Sequence, residues 1–296
     1  MSRYCIRFFS NYSTSAKLKI EFERENETYN MPNYGKDKEI WITDGEDYSH
    51  VIIINTTFEE IADRIPTSNI VGLAFEPNEY IWWIHRISPR IGKYCIGTIT
   101  DELRERSNVF VEEYAYMPHH SIQSHLPIPT KSKFMSIIFS DKTDQLDKVF
   151  GYRYRVLLVN AILHRDWPID IYGHGCKTLT DKQKEDPRIK GAFQHNEPYD
   201  DYQFHICIEN NRSNAYISEK LTQPLVRGCT PIYLGARNVL NYVSDVILLT
   251  GVLHEDLVLM KNIMKDPDQF KRDIDVEDVK NKTYLLRNLD TIFCLN

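Results

Sequence analysis

The chain has 296 residues, of which 42% are hydrophobic and 26% are charged, and its formal net charge at pH 7 is −6. This acidic balance, with no run of Lys and Arg, excludes an electrostatic footprint for nucleic acid, so no nucleic-acid partner is expected. The longest apolar stretches, at 51–55 and 246–253, fall short of the ~20 residues that span a bilayer, and no transmembrane segment is expected. The length is typical of two domains.

Short apolar segments alternate with polar segments in the first half of the chain. The segments predicted as strands are RYCIRFF, KLKIEF, EIWIT, VIIIN, NIVGLAF and KYCIGTI. Two segments between them, FEEIADRI and EYIWWIHRI, have patterns that are compatible with helices. This alternation indicates a parallel sheet with crossover helices.

The second half repeats this pattern after a segment that is rich in proline and histidine. That segment, MPHHSIQSHLPIPTKSK at 117–133, has no apolar periodicity and is interpreted as an interdomain linker. Strands and helices are then predicted in alternation: strand FMSIIFS, a helix around 152–164, strands IDIYG and FHICI, helix SEKLTQPLVRG, strands TPIYLG and VILLT, and a helical tail. We therefore predict an α/β protein of two Rossmann-like domains, 1–128 and 129–296, with a cleft between them and ligands at the carboxyl ends of strands.

A polar connection, IENNRSNAYISEKL at 208–221, follows the predicted strand FHICI. Ser218 is a suitable N-cap for a helix that begins at Glu219, which places Lys220 in the first turn. The helix dipole disfavours a cation there by ~0.3–1 kcal/mol, and a bound diphosphate would reverse that effect. A solvated lysine balanced by Glu219 is the alternative, and the pattern alone leaves both open.

A second cationic position follows the predicted strand FMSIIFS. Arg155 lies near the start of the next helix, where a guanidinium can bind phosphate oxygens in bidentate fashion. Arg153 carries the same charge two residues earlier. The pattern does not choose between them, and both could be surface residues.

Four motifs occur in order between Phe134 and Gly235: IDIYGHG, YQFHICIEN, AYISEKL and RGCTPIYLG. In order and spacing they resemble the α1,3-fucosyltransferases, glycosyltransferase family ten. The resemblance implies a glycosyltransferase-B fold, in which 1–128 is the acceptor side and 129–296, with its helical tail, binds the nucleotide sugar. It also implies inverting transfer of fucose from GDP-fucose to a sugar hydroxyl of a glycan acceptor.

The resemblance assigns donor-binding roles position by position. Arg155 matches the family arginine, and Lys220 the family lysine, that contact the nucleotide phosphates. Glu219 and Tyr216 match family residues that line the donor pocket, and Glu209 and Asn210 match the pair at the end of the neighbouring strand.

Inverting transfer also needs a base within hydrogen-bond reach of the attacking hydroxyl. In the segment LAFEPNEY, Glu76 lies at the carboxyl end of a predicted strand. A glutamate at a similar place acts as base in the family, so the resemblance makes Glu76 the predicted base. Glu79 is the local rival.

No cofactor and no metal are expected, because Arg155, Lys220 and helix N–H groups can take up the charge that develops on a departing phosphate. Asp200 and Asp201 lack the spacing of a metal-binding D-x-D motif and are interpreted as a solvated turn. The histidines of the linker are not interpreted as a metal site. We expect a soluble cytoplasmic enzyme similar to bacterial or viral members. Two alternatives stay open, a transferase that uses another nucleotide sugar and a catalytically silent nucleotide-sugar-binding module.

Overall fold

The computed structural model describes residues 3–25, 34, 39–77, 90–106, 109–117, 123–140 and 149–295. Strands and helices alternate along these residues, as the sequence pattern predicts. The strands are β1 (Arg3–Ser10), β2 (Glu39–Thr43), β3 (His50–Ile54), β4 (Ile70–Leu73), β5 (Lys93–Ile96), β6 (Phe110–Glu112), β7 (Lys133–Ile138), β8 (Ile169–Tyr172), β9 (Ile189–Gly191), β10 (Tyr202–Ile208), β11 (Thr230–Leu234) and β12 (Ile247–Leu248). The helices are α1 (Ser15–Glu25), α2 (Asp101–Arg106), α3 (Phe150–Leu163), α4 (Asp181–Lys184), α5 (Glu219–Val226), α6 (Leu253–Lys265), α7 (Pro267–Phe270), α8 (Val276–Thr283) and α9 (Leu289–Phe293).

The first sheet has, among the described residues, six parallel strands in the order β2-β1-β3-β4-β5-β6. Every residue of β3 and of β4 is buried. Strands that are covered on both faces are near-continuous apolar runs, which is why VIII and IVGL form the centre of this sheet.

The second sheet, counted over the same described residues, has six parallel strands in the order β12-β11-β10-β7-β8-β9. Numbered within this half and read from β9, the order is 3-2-1-4-5-6, which is that of a nucleotide-binding Rossmann sheet. The strand order reverses between the neighbouring strands β7 and β10. The predicted α/β fold with two Rossmann-like sheets is confirmed, and ligands of such sheets bind at this reversal.

The segment KLKIEF is helical, and its prediction as a strand is wrong. It lies within α1, where Leu18 and Phe22 are fully buried while Ile20 between them is 53% exposed. The alternation of apolar and charged residues imitates a strand. The buried face nevertheless has the four-residue spacing of a helix.

The segment FEEIADRI contains no helix, contrary to its helix-compatible pattern. A distant side chain holds its backbone instead, since the guanidinium of Arg90 donates to the carbonyl oxygens of Ile61 at 2.7 Å and Ile65 at 2.6 Å. The whole segment EYIWWIHRI lies outside the described residues, so its predicted helix stays a prediction.

The chain forms two compact units. The first unit comprises Met1–His120, Ser213–Ser218 and Lys280–Asn296, and the second comprises Ser121–Arg212 and Glu219–Val279. Each unit contains one of the two sheets. The domain boundaries 1–128 and 129–296 stay a prediction.

Candidate functional site

Polar side chains gather in the second unit where the strand order reverses. Ser140 follows β7, and Glu209 and Asn210 follow β10. A cavity of about 350 Å³ opens beside these strand ends. Its polar lining includes Ser140, Arg155, Asn210, Glu219, Lys220 and Gln223, and its aromatic lining includes Tyr152, Phe193 and Tyr199.

Arg155 is buried in the wall of this cavity. Its guanidinium donates to the carbonyl of Ile208 from Nε at 3.1 Å and from Nη2 at 2.6 Å. It also donates to Asn210 Oδ1 at 2.7 Å and to Ser140 Oγ at 2.9 Å, which ties the end of β10 to the end of β7. Arg153 is exposed and does not line the cavity, so the structure separates two arginines that the pattern could not distinguish.

The close approach of α3 to the end of β10 depends on Gly151. A Cβ atom at this position would lie 1.9 Å from the carbonyl oxygen of Glu209. The N–H of Gly151 donates to the carbonyl of Asn210 at 3.1 Å. The glycine therefore sets the distance from which Arg155, one helical turn later, reaches Ile208.

Lys220 lies in the first turn of α5, which begins at Glu219 as predicted. Its Nζ is 2.8 Å from Glu219 Oε1 and 3.9 Å from Glu209 Oε2. Burial lowers the pKa of Lys220, but the carboxylates of Glu219 and Glu209 outweigh burial and the repulsion from Arg155, so the pKa is raised. Lys220 is therefore a charged ammonium in the cavity wall.

Pro224 lies inside α5 and is buried. Because proline has no N–H, the helix lacks the bond that residue 224 would donate to the carbonyl of Lys220. The helix ends two residues later, and its last turn is closed by the N–H of Cys229, which donates to the Pro224 carbonyl at 2.8 Å.

Tyr216 does not line this cavity. It is buried in the segment Ser213–Ser218, which groups with the first unit. Within that unit, the backbone N–H of Asn214 donates to Thr98 Oγ1 at 2.9 Å, and its side-chain amide donates to Glu112 Oε1 at 3.0 Å. A donor-binding role for Tyr216 stays a prediction.

Glu76 belongs to the first unit, where it follows β4 and is exposed. The backbone before it is held by Asn55, whose Oδ1 accepts the N–H of Phe75 at 2.8 Å. Asn55 is buried and has a φ of 60°, a left-handed conformation that Asn tolerates better than most residues. The hydroxyl of Tyr94 donates to its carbonyl at 2.6 Å. Glu79, the rival base, lies outside the described residues.

No group of three or more His, Cys, Asp or Glu side chains that could hold a metal ion occurs in the part of the chain that the structure describes. The interpretation of Asp200 and Asp201 as a solvated turn is incomplete, because both are half-buried and form ion pairs. Asp200 Oδ1 lies 2.6 Å from Nε of the fully buried Arg227, and Asp201 Oδ2 lies 3.2 Å from Lys133 Nζ. Both ion pairs lie at the turn that precedes β10.

Sequence reasoning missed several residues of the cavity. Ser140 directly follows a predicted strand, so the rule that ligands bind at strand ends could have identified it. Tyr152 precedes Arg155 by three residues and therefore shares a helix face with it, and its ring centroid is 5.1 Å from the guanidinium carbon. Phe193 follows β9 in an irregular segment, and nothing in the local pattern marks it.

Two solved structures share the fold of nearly the whole chain. One is an α1,3-fucosyltransferase with GDP, at 12% identity and a TM-score of 0.54, and the match covers 99% of this chain and 89% of that chain. The other is an α1,3-fucosyltransferase at 12% identity and a TM-score of 0.50, covering 99% and 92%. At such low identity the likeness concerns the fold, and it confirms the predicted glycosyltransferase-B type.

A protein-family model matches most of the second half of the chain. Residues 128–247 match the glycosyltransferase family 10 (fucosyltransferase) C-terminal model. The match covers less than half of the chain and contains all four motifs between Phe134 and Gly235. The match confirms that these motifs resemble those of glycosyltransferase family ten, and it confirms the prediction of a glycosyltransferase. The roles of single site residues stay predictions.

Among the described residues, no helix combines the length and the apolar character that a membrane span requires. The expected cytoplasmic location stays a prediction.

Proposed function

We propose that the chain transfers fucose from GDP-fucose to a hydroxyl of a carbohydrate acceptor, with inversion at the anomeric carbon. The observation that carries the proposal is the position of Arg155 and Lys220. Both line one cavity at the strand reversal of a Rossmann sheet, inside the segment that matches the fucosyltransferase model. That one structure of the same fold is an α1,3-fucosyltransferase with GDP supports guanosine diphosphate as the nucleotide.

The donor diphosphate is the part of the substrate that this cavity suits best. The Lys220 side chain is 26% exposed and lines the cavity, where its ammonium can contact phosphate oxygens, while the buried Arg155 adds positive charge from the wall. When the bond between the anomeric carbon and the β-phosphate oxygen breaks, GDP leaves with the electron pair. The two cations then stabilise the charge that develops on the β-phosphate.

The acceptor hydroxyl must lose a proton as its oxygen bonds to the anomeric carbon. In the proposed reaction, the carboxylate of Glu76 accepts that proton. Its exposure gives the carboxylate access to water, to which the proton passes afterwards.

A comparison of nucleotides tests the donor. GDP at ~100 times its dissociation constant should raise the free energy of unfolding by about 2.7 kcal/mol, and an equal concentration of UDP should raise it far less. Thermal or urea unfolding with each nucleotide measures this. Stabilisation by UDP without stabilisation by GDP would contradict the fucose donor.

The proposed transfer uses no metal, since Arg155 and Lys220 supply the positive charge that a divalent cation supplies in other transferases. Transfer from GDP-fucose should therefore continue in excess EDTA. Complete loss of transfer in EDTA, with recovery on addition of Mn²⁺, would contradict this part of the proposal.

A further inference from the structure

The carboxylate of Glu209 lies inside the protein, although the residue ends a strand at the cavity. Its side chain is 0% exposed, whereas the side chain of Glu219 is 40% exposed. The backbone N–H of Glu209 donates to the carbonyl of Leu234 at 2.8 Å, which extends the pairing of β10 with β11 by one residue. A nucleotide sugar bound in the cavity can therefore contact the carboxylate of Glu219 but not that of Glu209.

Glu209 occupies space that is open only because two neighbouring residues are glycines without side chains. The carbonyl of Glu209 lies against Gly151, where a Cβ atom would meet it at 1.9 Å. On the other side, a Cβ atom at Gly235 would lie 2.4 Å from Cγ of Glu209 and 2.2 Å from the hydroxyl of Tyr233. That hydroxyl accepts the N–H of Ala236 at 2.8 Å, so it cannot move away without losing this bond. The Cγ atom of Glu209 thus occupies space that a side chain at position 235 would take.

A buried carboxylate is costly unless a cation and hydrogen bonds compensate it. The Nζ of Lys220, 3.9 Å from Glu209 Oε2, is such a cation. Lys220 in turn lies between a buried carboxylate and a partly exposed one, because its Nζ is also 2.8 Å from Glu219 Oε1.

We propose that Glu209 is a positioning residue, which holds the ammonium of Lys220 charged and in place at the cavity wall before the donor binds. When the donor binds, its diphosphate replaces the carboxylate of Glu219 as a partner of the Lys220 ammonium. The carboxylate of Glu209 remains beside that ammonium. This assigns different roles to two glutamates that the motifs alone place together in donor binding. The inference rests on the proposed function, because it presumes that Lys220 contacts the diphosphate.

The charge of Lys220 depends on three neighbours. Burial lowers its pKa, Glu219 and Glu209 raise it, and Arg155 lowers it, with a net rise. A cation with a raised pKa is fully charged below its ordinary value, and its contribution is lost only as the pH rises through the higher value in the folded protein. Removing the charge of Glu209 should lower the pKa of Lys220, so that GDP affinity declines at a lower pH.

A double-mutant cycle tests whether Glu209 acts through Lys220. Glu209→Gln should weaken GDP binding about tenfold in the otherwise unchanged protein and should have no further effect in the Lys220→Ala background. Isothermal titration with GDP measures all four proteins. Equal weakening in both backgrounds, or no weakening in the unchanged protein, would overturn the proposal. If Glu209→Gln does not fold, the uncharged Glu209→Met takes its place in the cycle, with the same expected and contrary outcomes.

A second measurement needs no nucleotide and separates this inference from the proposed function. The pKa of Lys220 is followed by NMR of ¹⁵N-labelled lysine side chains, with the signal assigned through its loss in Lys220→Arg. Glu209→Gln should lower this pKa, and Glu185→Gln, which removes an exposed carboxylate of the same unit, should not. An unchanged pKa in Glu209→Gln would overturn the positioning role. A lowered pKa in a protein that binds no GDP would instead support the pair and contradict the donor.

Discussion

The carboxyl ends of β10 in the second unit and of β4 in the first unit are built by different means. At the end of β10, Glu209 is enclosed, and Arg155 ties the strand end to its neighbour through four hydrogen bonds. At the end of β4, Glu76 is exposed, and the backbone before it is held by the amide of Asn55. One strand end carries a buried carboxylate and a buried guanidinium, and the other carries an exposed carboxylate.

The difference fits the roles that we propose for the two groups. An anion site must keep its cations charged and ordered when no anion is bound, and enclosed carboxylates provide that compensation. A base must reach a substrate hydroxyl and return its proton to water, so it has to be accessible. We therefore expect substitutions at the β10 end to affect binding and stability, and substitution of Glu76 to affect turnover.

Substitution of the proposed base should have the largest effect. Glu76→Gln keeps the size of the side chain but cannot accept a proton, so turnover should fall by a factor of ~10²–10⁴. GDP binding and the unfolding midpoint should stay unchanged, because the residue is exposed and belongs to the other unit. Release of GDP from GDP-fucose with a panel of glycan acceptors measures turnover.

Glu79→Gln is the matched control and should remain active. An inactive Glu79→Gln beside an active Glu76→Gln would make Glu79 the base. Two active variants would place the base elsewhere in the chain.

Arg155→Ala tests the enclosed side of the comparison. It leaves the buried carbonyl of Ile208 and the half-buried side chain of Asn210 without this donor, and a buried group that loses its donor costs ~1–3 kcal/mol. The free energy of unfolding should therefore fall by about 2–4 kcal/mol, as measured by urea titration. The exposed Arg153→Ala should change it by less than about 0.5 kcal/mol. Equal effects of the two variants would mean that the Arg155 network is not stabilising.

Lys220→Ala tests the cation at the same strand end. It leaves the buried carboxylate of Glu209 without its compensating cation, so the free energy of unfolding should fall as well, and the lost charge-assisted contact with phosphate contributes ~1.5–3 kcal/mol to binding. GDP affinity, measured by isothermal titration, should fall by about 10- to 100-fold. The exposed Lys182→Ala in α4 is the control. An unchanged affinity in Lys220→Ala would make this lysine the solvated residue of the alternative interpretation.

How far the sequence predicts the molecule differs between these regions. The motif that contains Asn210, Glu219 and Lys220 is local, so its place at a strand end and helix start could be predicted from residue order alone. The enclosure of Glu209 could not, because it depends on Gly151 and Gly235, which come from other parts of the chain.

The first half shows the same limit at the level of secondary structure. The strands β1, β3 and β4 were predicted from apolar runs, because a strand that is buried on both faces needs little else. The misassigned KLKIEF has an alternating pattern that fits both a strand and a helix face, and only packing distinguishes them. FEEIADRI has a helix-compatible pattern but forms no helix, and its carbonyl groups accept hydrogen bonds from the guanidinium of Arg90, 25 residues beyond Ile65.

Tyr94→Phe should have the smallest effect. It tests the hydrogen bonds through which Tyr94 and Asn55 hold the backbone at the end of β4. Its hydroxyl donates to the carbonyl of the buried Asn55 at 2.6 Å, and Gly72 makes room for the ring, since a Cβ atom there would lie 2.1 Å from Cδ2. Loss of the hydroxyl should lower the free energy of unfolding by about 1 kcal/mol. If Asn55 sets the backbone before Glu76, turnover should also fall while GDP affinity stays the same. Tyr4→Phe, on β1, is the control for loss of a tyrosine hydroxyl from this sheet. A loss of stability without any loss of turnover would show that the position of Glu76 does not depend on this support.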